Sequence, residues 1–152
     1  MIKILFICHG NICRSPMAEY VMKHMTERAG WGSEFFIDSA GTHSDALGSP
    51  VHPNTRRTLE REGIVCGGHR ARLLTHQDYE LFDLIVAMDT ANLRNIRRQC
   101  KGDPEGKVRL LLDYVGRPGE SVADPWYTGD FDTTFRDVWA GCEALLKQLK
   151  KR

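Results

Sequence analysis

The residues of this chain with the clearest capacity for chemistry are a cysteine and an arginine with five residues between them, Cys8 and Arg14. An apolar run ends at Cys8, as in a buried strand, and Ser15 and Pro16 follow Arg14 where a helix is predicted to begin. A loop in that position directs backbone N–H groups and the positive end of the helix dipole at one point, where an anion is favoured. The same field stabilises a thiolate, and a guanidinium can bind two phosphoryl oxygens at once. The segment therefore predicts a phosphate-binding loop around a sulfur nucleophile, between the first strand and the first helix.

A cysteine and an arginine at this spacing also occur by chance, and Cys8 could then be a small apolar residue that closes a strand. The strand, the glycine within the loop, the Ser-Pro pair and the helical pattern are separate requirements of the catalytic interpretation, and the sequence meets all of them. We expect Gly10 to allow a backbone bend that a Cβ would block. The other loop residues expected to surround the phosphate are His9, Asn11, Ile12, Cys13 and Ser15.

Strand-like and helix-like segments alternate along the chain. Apolar runs predict strands at residues 2–7, 35–37, 84–87 and 108–112. Apolar residues at helical spacing predict helices after Pro16, at residues 53–62, after the third strand and from Phe131 onward. This alternation predicts an α/β fold in which a parallel sheet carries helices on both faces, within a single domain over residues 1–152. Ligands of such sheets bind beyond the carboxyl ends of the strands, where Cys8, Ser39, Asp89 and the neighbourhood of Asp113 are predicted to lie.

Composition argues against several classes of protein. The net charge of +1 over 152 residues does not indicate a binder of nucleic acid. No apolar run reaches the roughly 18 residues that a membrane span needs, and a strand follows the first residue without signal-peptide features. Five cysteines, an odd number without disulfide spacing, favour a reducing setting. We expect a cytoplasmic monomer that binds neither nucleic acid nor membrane.

The remaining cysteines and histidines are not predicted to hold a metal. Cys100 and Cys142 fall on apolar helical stripes, so both are expected in the core. The spacing of Cys8, His9 and Cys13 does not match a zinc site. The histidines expected at scattered, solvated surface positions are His24, His43, His52 and His76.

A thiolate that attacks phosphorus expels an alkoxide or phenoxide, which leaves more readily when a general acid protonates it. Asp124 is a candidate because Pro125 restricts its backbone, and the aromatic side chains of Trp126 and Tyr127 could receive a phenyl ring. The same residues could instead form an Asp-Pro turn with packed aromatics. From the residues alone, the alternatives that stay open are Asp78, Asp83, Asp89, Asp113 and Asp130.

Five segments resemble, in order, the conserved blocks of the low-molecular-weight protein tyrosine phosphatases. They lie at residues 8–19, 38–42, 63–72, 88–93 and 124–127 and span almost the whole chain. The resemblance implies four parallel strands, Cys8 as the nucleophile, Arg14 as the phosphate clamp and Asp124 as the general acid and base. It also implies that Asn11, Ser39 and His69 brace the loop and that Asp89 orients Arg14. From the residues, Ser15 could donate a hydrogen bond to the sulfur of Cys8 or could cap the helix that follows. No metal and no cofactor are implied.

The implied activity is hydrolysis of phosphotyrosine monoesters through a phosphocysteine intermediate. Phosphotyrosine proteins or small aryl phosphates would be the substrates, and inorganic phosphate a product. One position departs from the family pattern. Asp45 aligns with an aromatic residue that forms the far wall of the cleft in many relatives. We therefore expect that wall to be acidic and to be less apolar than in those relatives.

Three alternatives share features of the motif. An arsenate reductase of this fold needs further redox cysteines near the third strand, and residues 78–92 contain none. A thiol redox sensor or phosphate-binding module could use Cys8 and Cys13 as a switch, but would not need Asp124. An arginine phosphatase is the closest competitor, and relatives of that type carry threonine where this chain has Ile12.

Overall fold

Four parallel strands form the sheet in the computed structural model, which describes residues 1–151. They are β1 (Ile2–Cys8), β2 (Phe35–Gly41), β3 (Leu84–Ala87) and β4 (Val108–Leu110), in the spatial order β2-β1-β3-β4. In this register Cys8 pairs with Gly41, and Ile7 pairs with both Ala40 and Ala87. The carboxyl ends of β1, β2 and β3 therefore meet at one edge of the sheet.

Four helices lie in the crossovers between strands, and two more follow the last strand. They are α1 (Arg14–Arg28), α2 (Pro53–Arg61), α3 (His76–Leu81), α4 (Thr90–Gln99), α5 (Pro125–Thr128) and α6 (Phe131–Lys150). Short 3₁₀ turns lie at Gly32–Glu34 and Leu111–Val115. No helix among residues 1–151 combines the length and apolar character that crossing a bilayer requires.

Alternation along β1 divides the core into two apolar clusters. Ile4, Phe6 and Cys8 belong to the cluster that α1 and α6 cover, whereas Leu5 and Ile7 belong to the cluster beneath α3 and α4. Successive side chains of a strand point to opposite faces, so β1, which is apolar and buried from residue 4 to residue 8, is covered on both sides. The predicted fold class, a single α/β domain with helices on both faces of a parallel sheet, is confirmed.

Several predicted boundaries were wrong. The fourth strand ends at Leu110 rather than residue 112, because Leu111 and Leu112 both enter the cluster under α6, which the alternation of a strand does not allow. A Cβ on Gly141 of α6 would overlap Leu111 Cγ, so only glycine permits this approach. Helix α1 begins at Arg14, before the Ser-Pro pair. Cys100 and Cys142 are buried, as the stripes predict.

Helix α3 was not predicted at all. Its start carries a capping box, in which Thr75 Oγ1 accepts from the N–H of Asp78 and the Asp78 carboxylate accepts from the N–H of Thr75. Thr75 and Asp78 three residues apart are a sequence signal for a helix start. The helix is only six residues long, so it offers too few turns for a clear apolar period.

Candidate active site

The loop after β1 presents a row of free backbone donors. Cys8 ends the strand, 3% exposed, and Arg14 begins α1. Within residues 1–151, the five N–H groups from Gly10 to Arg14 donate no hydrogen bond to a protein acceptor. Successive free amides at a helix N-terminus form an anion-binding concavity. The loop can therefore hold an anion directly beside the Cys8 sulfur.

The sharp bend of the loop occurs at Asn11, not at Gly10. Asn11 has φ 60, whereas Gly10 has an ordinary φ and space for a Cβ, with Ala46 Cβ 3.9 Å away. The expectation that Gly10 supplies the bend was wrong. Asparagine tolerates the left-handed conformation better than other non-glycine residues, and here its fully buried side chain is held from three sides.

Asn11 anchors the loop from its inner side. Its Nδ2 donates to Ser15 Oγ at 2.9 Å and to Ser39 Oγ at 3.0 Å. Its Oδ1 accepts from the backbone N–H of Arg72 at 3.0 Å, and its carbonyl accepts from His69 Nε2 at 2.8 Å. The side chains of Asn11 and Ser15 are thus committed to the protein, and only their backbone N–H groups remain for a phosphate.

Glu19 extends this network and was missed from the sequence. It lies in α1, 4% exposed, and its Oε1 accepts from Ser39 Oγ at 2.6 Å. Lys23 Nζ lies 2.6 Å from Oε2, and His69 Nδ1 lies 3.8 Å from Oε1. The available signal was its position four residues after Ser15, on the same helical face. Ser39 and His69, predicted as braces, do contact the loop through Asn11.

A hydroxyl lies directly beside the candidate nucleophile. Cys8 Sγ is 3.0 Å from Ser15 Oγ. Helix α1 begins one residue earlier, at Arg14, so Ser15 is not its N-cap. A hydroxyl at this distance can donate to a thiolate and stabilise it as a leaving group.

Arg14 is held in one orientation by three acceptors. Its Nη1 donates to Asp89 Oδ2 at 2.8 Å and to the Val122 carbonyl at 2.9 Å, and its Nη2 donates to Asp124 Oδ2 at 3.3 Å. The side chain is 3% exposed. Burial disfavours the charged guanidinium, but Coulomb attraction from Cys8, Asp89 and Asp124 outweighs it and raises the Arg14 pKa. The arginine therefore stays cationic beside the sulfur.

Asp124 sits at the start of a short helix and faces the same centre. Its Oδ1 accepts from the Trp126 N–H at 3.0 Å, which caps α5, while Oδ2 turns to Arg14. Val122, two residues before Asp124, donates its N–H to the Met88 carbonyl at 2.8 Å and so ties this loop to the end of β3. The carboxylate is half-buried at the cavity wall.

These residues share one cavity of about 440 Å³. The loop contributes Cys8, His9, Gly10, Ile12, Cys13 and Arg14 to its lining. Helix α4 with its N-cap contributes Asp89, Ala91, Asn92 and Asn95, and the acid loop contributes Asp124, Trp126 and Tyr127. Trp126 and Tyr127 are 64% and 84% exposed, so both aromatics stand at the mouth rather than in the core.

The other aspartates considered as acids lie elsewhere. Asp78 binds Arg72, Asp83 accepts from the N–H of Lys3, and Asp130 caps α6. Asp113 accepts from the Gly119 N–H in the turn after β4 and does not line the cavity. Of the aspartates considered as acids, two reach the arginine, Asp89 at 2.8 Å and Asp124 at 3.3 Å.

Asp45 lines the cavity, at the position where the sequence predicted an acidic wall. Its Oδ2 accepts from His9 Nε2 at 2.7 Å. The His9 ring stacks on His43, with 4.0 Å between centroids and 12° between planes. Gly41 lies beneath this segment, and a Cβ there would come within 2.8 Å of the His9 carbonyl.

His52 is not the solvated surface residue that was predicted. Its Nδ1 accepts from the Asn54 N–H at 3.1 Å and caps α2, while its own N–H donates to the Ile12 carbonyl at 2.9 Å. Its ring stacks on Phe131 at 5.3 Å and meets the edge of Trp126 at 6.0 Å. His52 thus connects the phosphate loop with the segment that follows Asp124.

Cys13 lies in the loop beside Cys8 and is 5% exposed. Burial, followed by the charges of Cys8 and Asp124, raises the pKa of its thiol to about 12. Cys13 therefore stays protonated near neutral pH. Among residues 1–151, no three His, Cys, Asp or Glu side chains are grouped so as to hold a metal ion.

Comparison with known proteins places this geometry in a family. The model of the low molecular weight phosphotyrosine protein phosphatases matches residues 3–152. The low molecular weight protein-tyrosine-phosphatase YfkJ of Bacillus subtilis is 40% identical over 152 residues, covering 99% of this chain and 97% of that protein. A low molecular weight phosphotyrosine protein phosphatase of Schizosaccharomyces pombe is 45% identical over 131 residues, covering 84% of this chain and 83% of its own.

Solved structures agree with the sequence comparison. The crystal structure of YfkJ superposes with a TM-score of 0.95 at 39% identity, covering 99% of this chain and 96% of that one. A Drosophila arginine phosphatase, DARP, superposes with a TM-score of 0.88 at 32% identity, covering 98% of both chains. The fold is therefore shared by a protein named as a tyrosine phosphatase and by one named as an arginine phosphatase. On these matches, the chain belongs to the low molecular weight phosphotyrosine protein phosphatase family and is a hydrolase.

Proposed function

We propose that the protein hydrolyses phosphotyrosine monoesters through a phosphocysteine intermediate. The observation that carries the proposal is that Cys8, Arg14 and Asp124 line one cavity, with Asp124 bonded to Arg14 and a hydroxyl 3.0 Å from the Cys8 sulfur. These residues supply the nucleophile, the cation that binds the phosphoryl oxygens and the general acid that the reaction requires. We further propose that the enzyme acts as a monomer in the cytoplasm, where its thiols stay reduced.

In the first step the Cys8 thiolate attacks phosphorus, so that an S–P bond forms as the P–O bond to tyrosine breaks. The Asp124 carboxyl gives its proton to the departing phenoxide, which leaves as neutral tyrosine. The free N–H groups of the loop and the Arg14 guanidinium bind the equatorial oxygens. They stabilise the charge of the transition state because they are already oriented before the reaction.

In the second step water attacks the phosphocysteine, and the Asp124 carboxylate accepts the proton of that water. The P–O bond to water forms as the S–P bond breaks, which releases inorganic phosphate and regenerates the thiolate. Ser15 Oγ, 3.0 Å from the sulfur, donates a hydrogen bond to the departing thiolate. The same carboxyl acts as acid and then as base, as the return to the starting state requires.

The mouth of the cavity favours an aryl substrate. Trp126 and Tyr127 provide exposed aromatic surface beside the proposed acid, where a phenyl ring can stack. Cys8 lies at the inner end of the cavity, almost fully buried. A phosphotyrosine ring can span that depth, whereas phosphoserine, with one carbon between backbone and ester oxygen, is shorter.

Phosphoarginine is the second candidate substrate, favoured by the similarity to the Drosophila arginine phosphatase and by the carboxylate of Asp45 at the cavity wall. Ile12 argues against it, because its apolar side chain cannot make the hydrogen bond of the threonine found there in relatives of that type. We expect Ile12→Thr to shift the activity ratio toward phosphoarginine.

The deciding experiment compares kcat/KM for phosphotyrosine, phosphoarginine and phosphoserine in peptides of one sequence, with a chelator present. The expected order places phosphotyrosine first, and the chelator should have no effect. A higher value for phosphoarginine would overturn the substrate but leave the mechanism intact. Loss of activity with the chelator would overturn the mechanism.

A further inference from the structure

The rim of the active-site cavity contains one carboxylate that the proposed chemistry does not use, that of Asp45. Asp124 and Asp89 both bind Arg14, whereas Asp45 lies at the cavity lining with its side chain 68% exposed. Its contact to His9 occupies Oδ2 only. A second donor, arriving from solvent with a substrate, can therefore still reach this carboxylate.

The segment that precedes Asp45 is tied to the phosphate loop at His9, the residue that contacts the Asp45 carboxylate. The N–H groups of Thr42 and His43 donate to the His9 carbonyl at 3.1 and 3.0 Å, and the His43 ring stacks on the His9 ring. The hydrogen bond from His9 lowers the Asp45 pKa, so the group stays ionised at neutral pH. A negative charge is thus held at a defined place next to the phosphate loop.

The rest of the lining offers little positive charge to balance it. Among the lining residues in the part of the chain that the structure describes, Arg14 is the one arginine and there is no lysine. Its guanidinium lies at the floor and already faces Asp89 and Asp124. A substrate side chain that passes the mouth therefore meets the carboxylate of Asp45 without a nearby permanent cation.

We infer that Asp45 is a specificity-determining residue that favours phosphotyrosine sites flanked by lysine or arginine over sites flanked by aspartate or glutamate. This inference rests on the proposed phosphotyrosine activity. A cation next to the phosphotyrosine pairs with the exposed carboxylate, and an anion in the same place is repelled by it. Exposed pairs of this kind are weak and screened by salt, so the effect is a preference of about two- to fivefold.

The test uses two phosphotyrosine peptides of equal length that differ only in carrying lysine or glutamate on both sides of the phosphotyrosine. The ratio of kcat/KM, lysine peptide over glutamate peptide, is measured for the wild type and for Asp45→Asn. Asparagine keeps the size and one acceptor but removes the charge. The ratio should fall by about two- to fivefold in Asp45→Asn, and the wild-type ratio should fall toward that of the variant at high salt.

Glu80→Gln is the matched control, because Glu80 is exposed on α3 and outside the cavity lining, and its substitution changes the net charge equally. That variant should keep the wild-type ratio. An unchanged ratio in Asp45→Asn, or an equal fall in Glu80→Gln, would overturn the role of Asp45. If the wild type hydrolyses neither peptide, the proposed function itself fails, which is a different result from equal hydrolysis of both.

Discussion

The guanidinium of Arg14 donates to the carboxylate of Asp124, with Nη2 3.3 Å from Oδ2, although 110 residues separate the two in the chain. The residue proposed to hold the phosphate therefore also orients the residue proposed to protonate the leaving group. Asp89 and the Val122 carbonyl hold the other side of the same guanidinium. Because a hydrogen bond joins them, the guanidinium and the carboxyl group are both oriented before substrate binds. Such preorganisation is the condition for strong electrostatic stabilisation.

Replacement of the nucleophile should abolish turnover. Cys8→Ser should lower kcat for an aryl phosphate by about 10⁴-fold or more, because a serine hydroxyl is not ionised at neutral pH. Phosphate binding, measured by calorimetry, should persist, since the free N–H groups and Arg14 are unchanged. Rapid quench of the wild type should trap a phosphoryl group on Cys8. Cys100→Ala, in the core, is the control and should retain kcat; substantial activity in Cys8→Ser would refute the mechanism.

Removal of the proposed acid should make the rate depend on the leaving group. Asp124→Asn should slow phenyl phosphate hydrolysis by about 10²–10⁴-fold. Nitrophenyl phosphate should be affected much less, because nitrophenolate leaves without a proton. Asp113→Asn, outside the cavity, should leave both rates near the wild type. An equal loss across a series of phenols in Asp124→Asn would assign the proton to another group.

The network behind the loop should matter for both stability and rate. Ser39→Ala removes the hydroxyl that accepts from Asn11 and donates to Glu19, leaving buried polar groups without that partner. The expected loss in free energy of unfolding is about 1–3 kcal/mol, measured in urea. The rate should fall as well, because Asn11 holds the loop bend. Ser33→Ala, on an exposed turn, should change neither quantity; an unaltered stability in Ser39→Ala would show that the network is dispensable.

Oxidation should join the two cysteines of the loop. Peroxide is expected to convert Cys8 to a sulfenic acid, which Cys13 then attacks to form a disulfide with loss of water. Because burial raises the Cys13 pKa to about 12, the second step should be slow at neutral pH and accelerate as pH rises. Mass spectrometry should find the Cys8–Cys13 link, and a thiol should restore activity. In Cys13→Ala, Cys8 should proceed to sulfinic acid; the same outcome in the wild type would exclude the switch.

Protonation of His52 should loosen the contact between the phosphate loop and the acid loop. Burial, with a smaller contribution from Arg57, lowers the His52 pKa below its usual 6.5. The folded state thus binds fewer protons here than the unfolded state. Its contribution to stability is complete above pH 6.5 and is lost as pH falls through the lower folded value. His52→Asn keeps a capping acceptor but cannot titrate.

The unfolding free energy of His52→Asn should therefore depend less on pH between about 7 and 5 than that of the wild type. Urea denaturation at each pH measures both. His76→Asn, at an exposed position of α3, is the matched control and should retain the wild-type slope. Identical slopes in all three proteins would show that His52 carries no such coupling.

Much of the fold follows from local pattern. Residues 84–87 are apolar throughout and residues 2–7 almost throughout, with Lys3 the exception, as is typical of strands covered on both faces. The helices between them leave a parallel sheet as the simple solution. The pattern failed where packing decided the boundary. Leu111 and Leu112 look like a continuation of β4, but both turn into the cluster under α6.

The chemistry of the loop was determined by the sequence itself. Cys8, the free backbone donors and Arg14 lie within a few residues, so a strand, a short loop and a helix are enough to bring them together. Tertiary structure alone decided what surrounds them. Asp89 and Asp124 reach Arg14 across 75 and 110 residues, and Asp45 reaches His9 across 36. Residue type sets what a side chain can do, but strand register and loop packing, which sum many distant contacts, set which partner it meets.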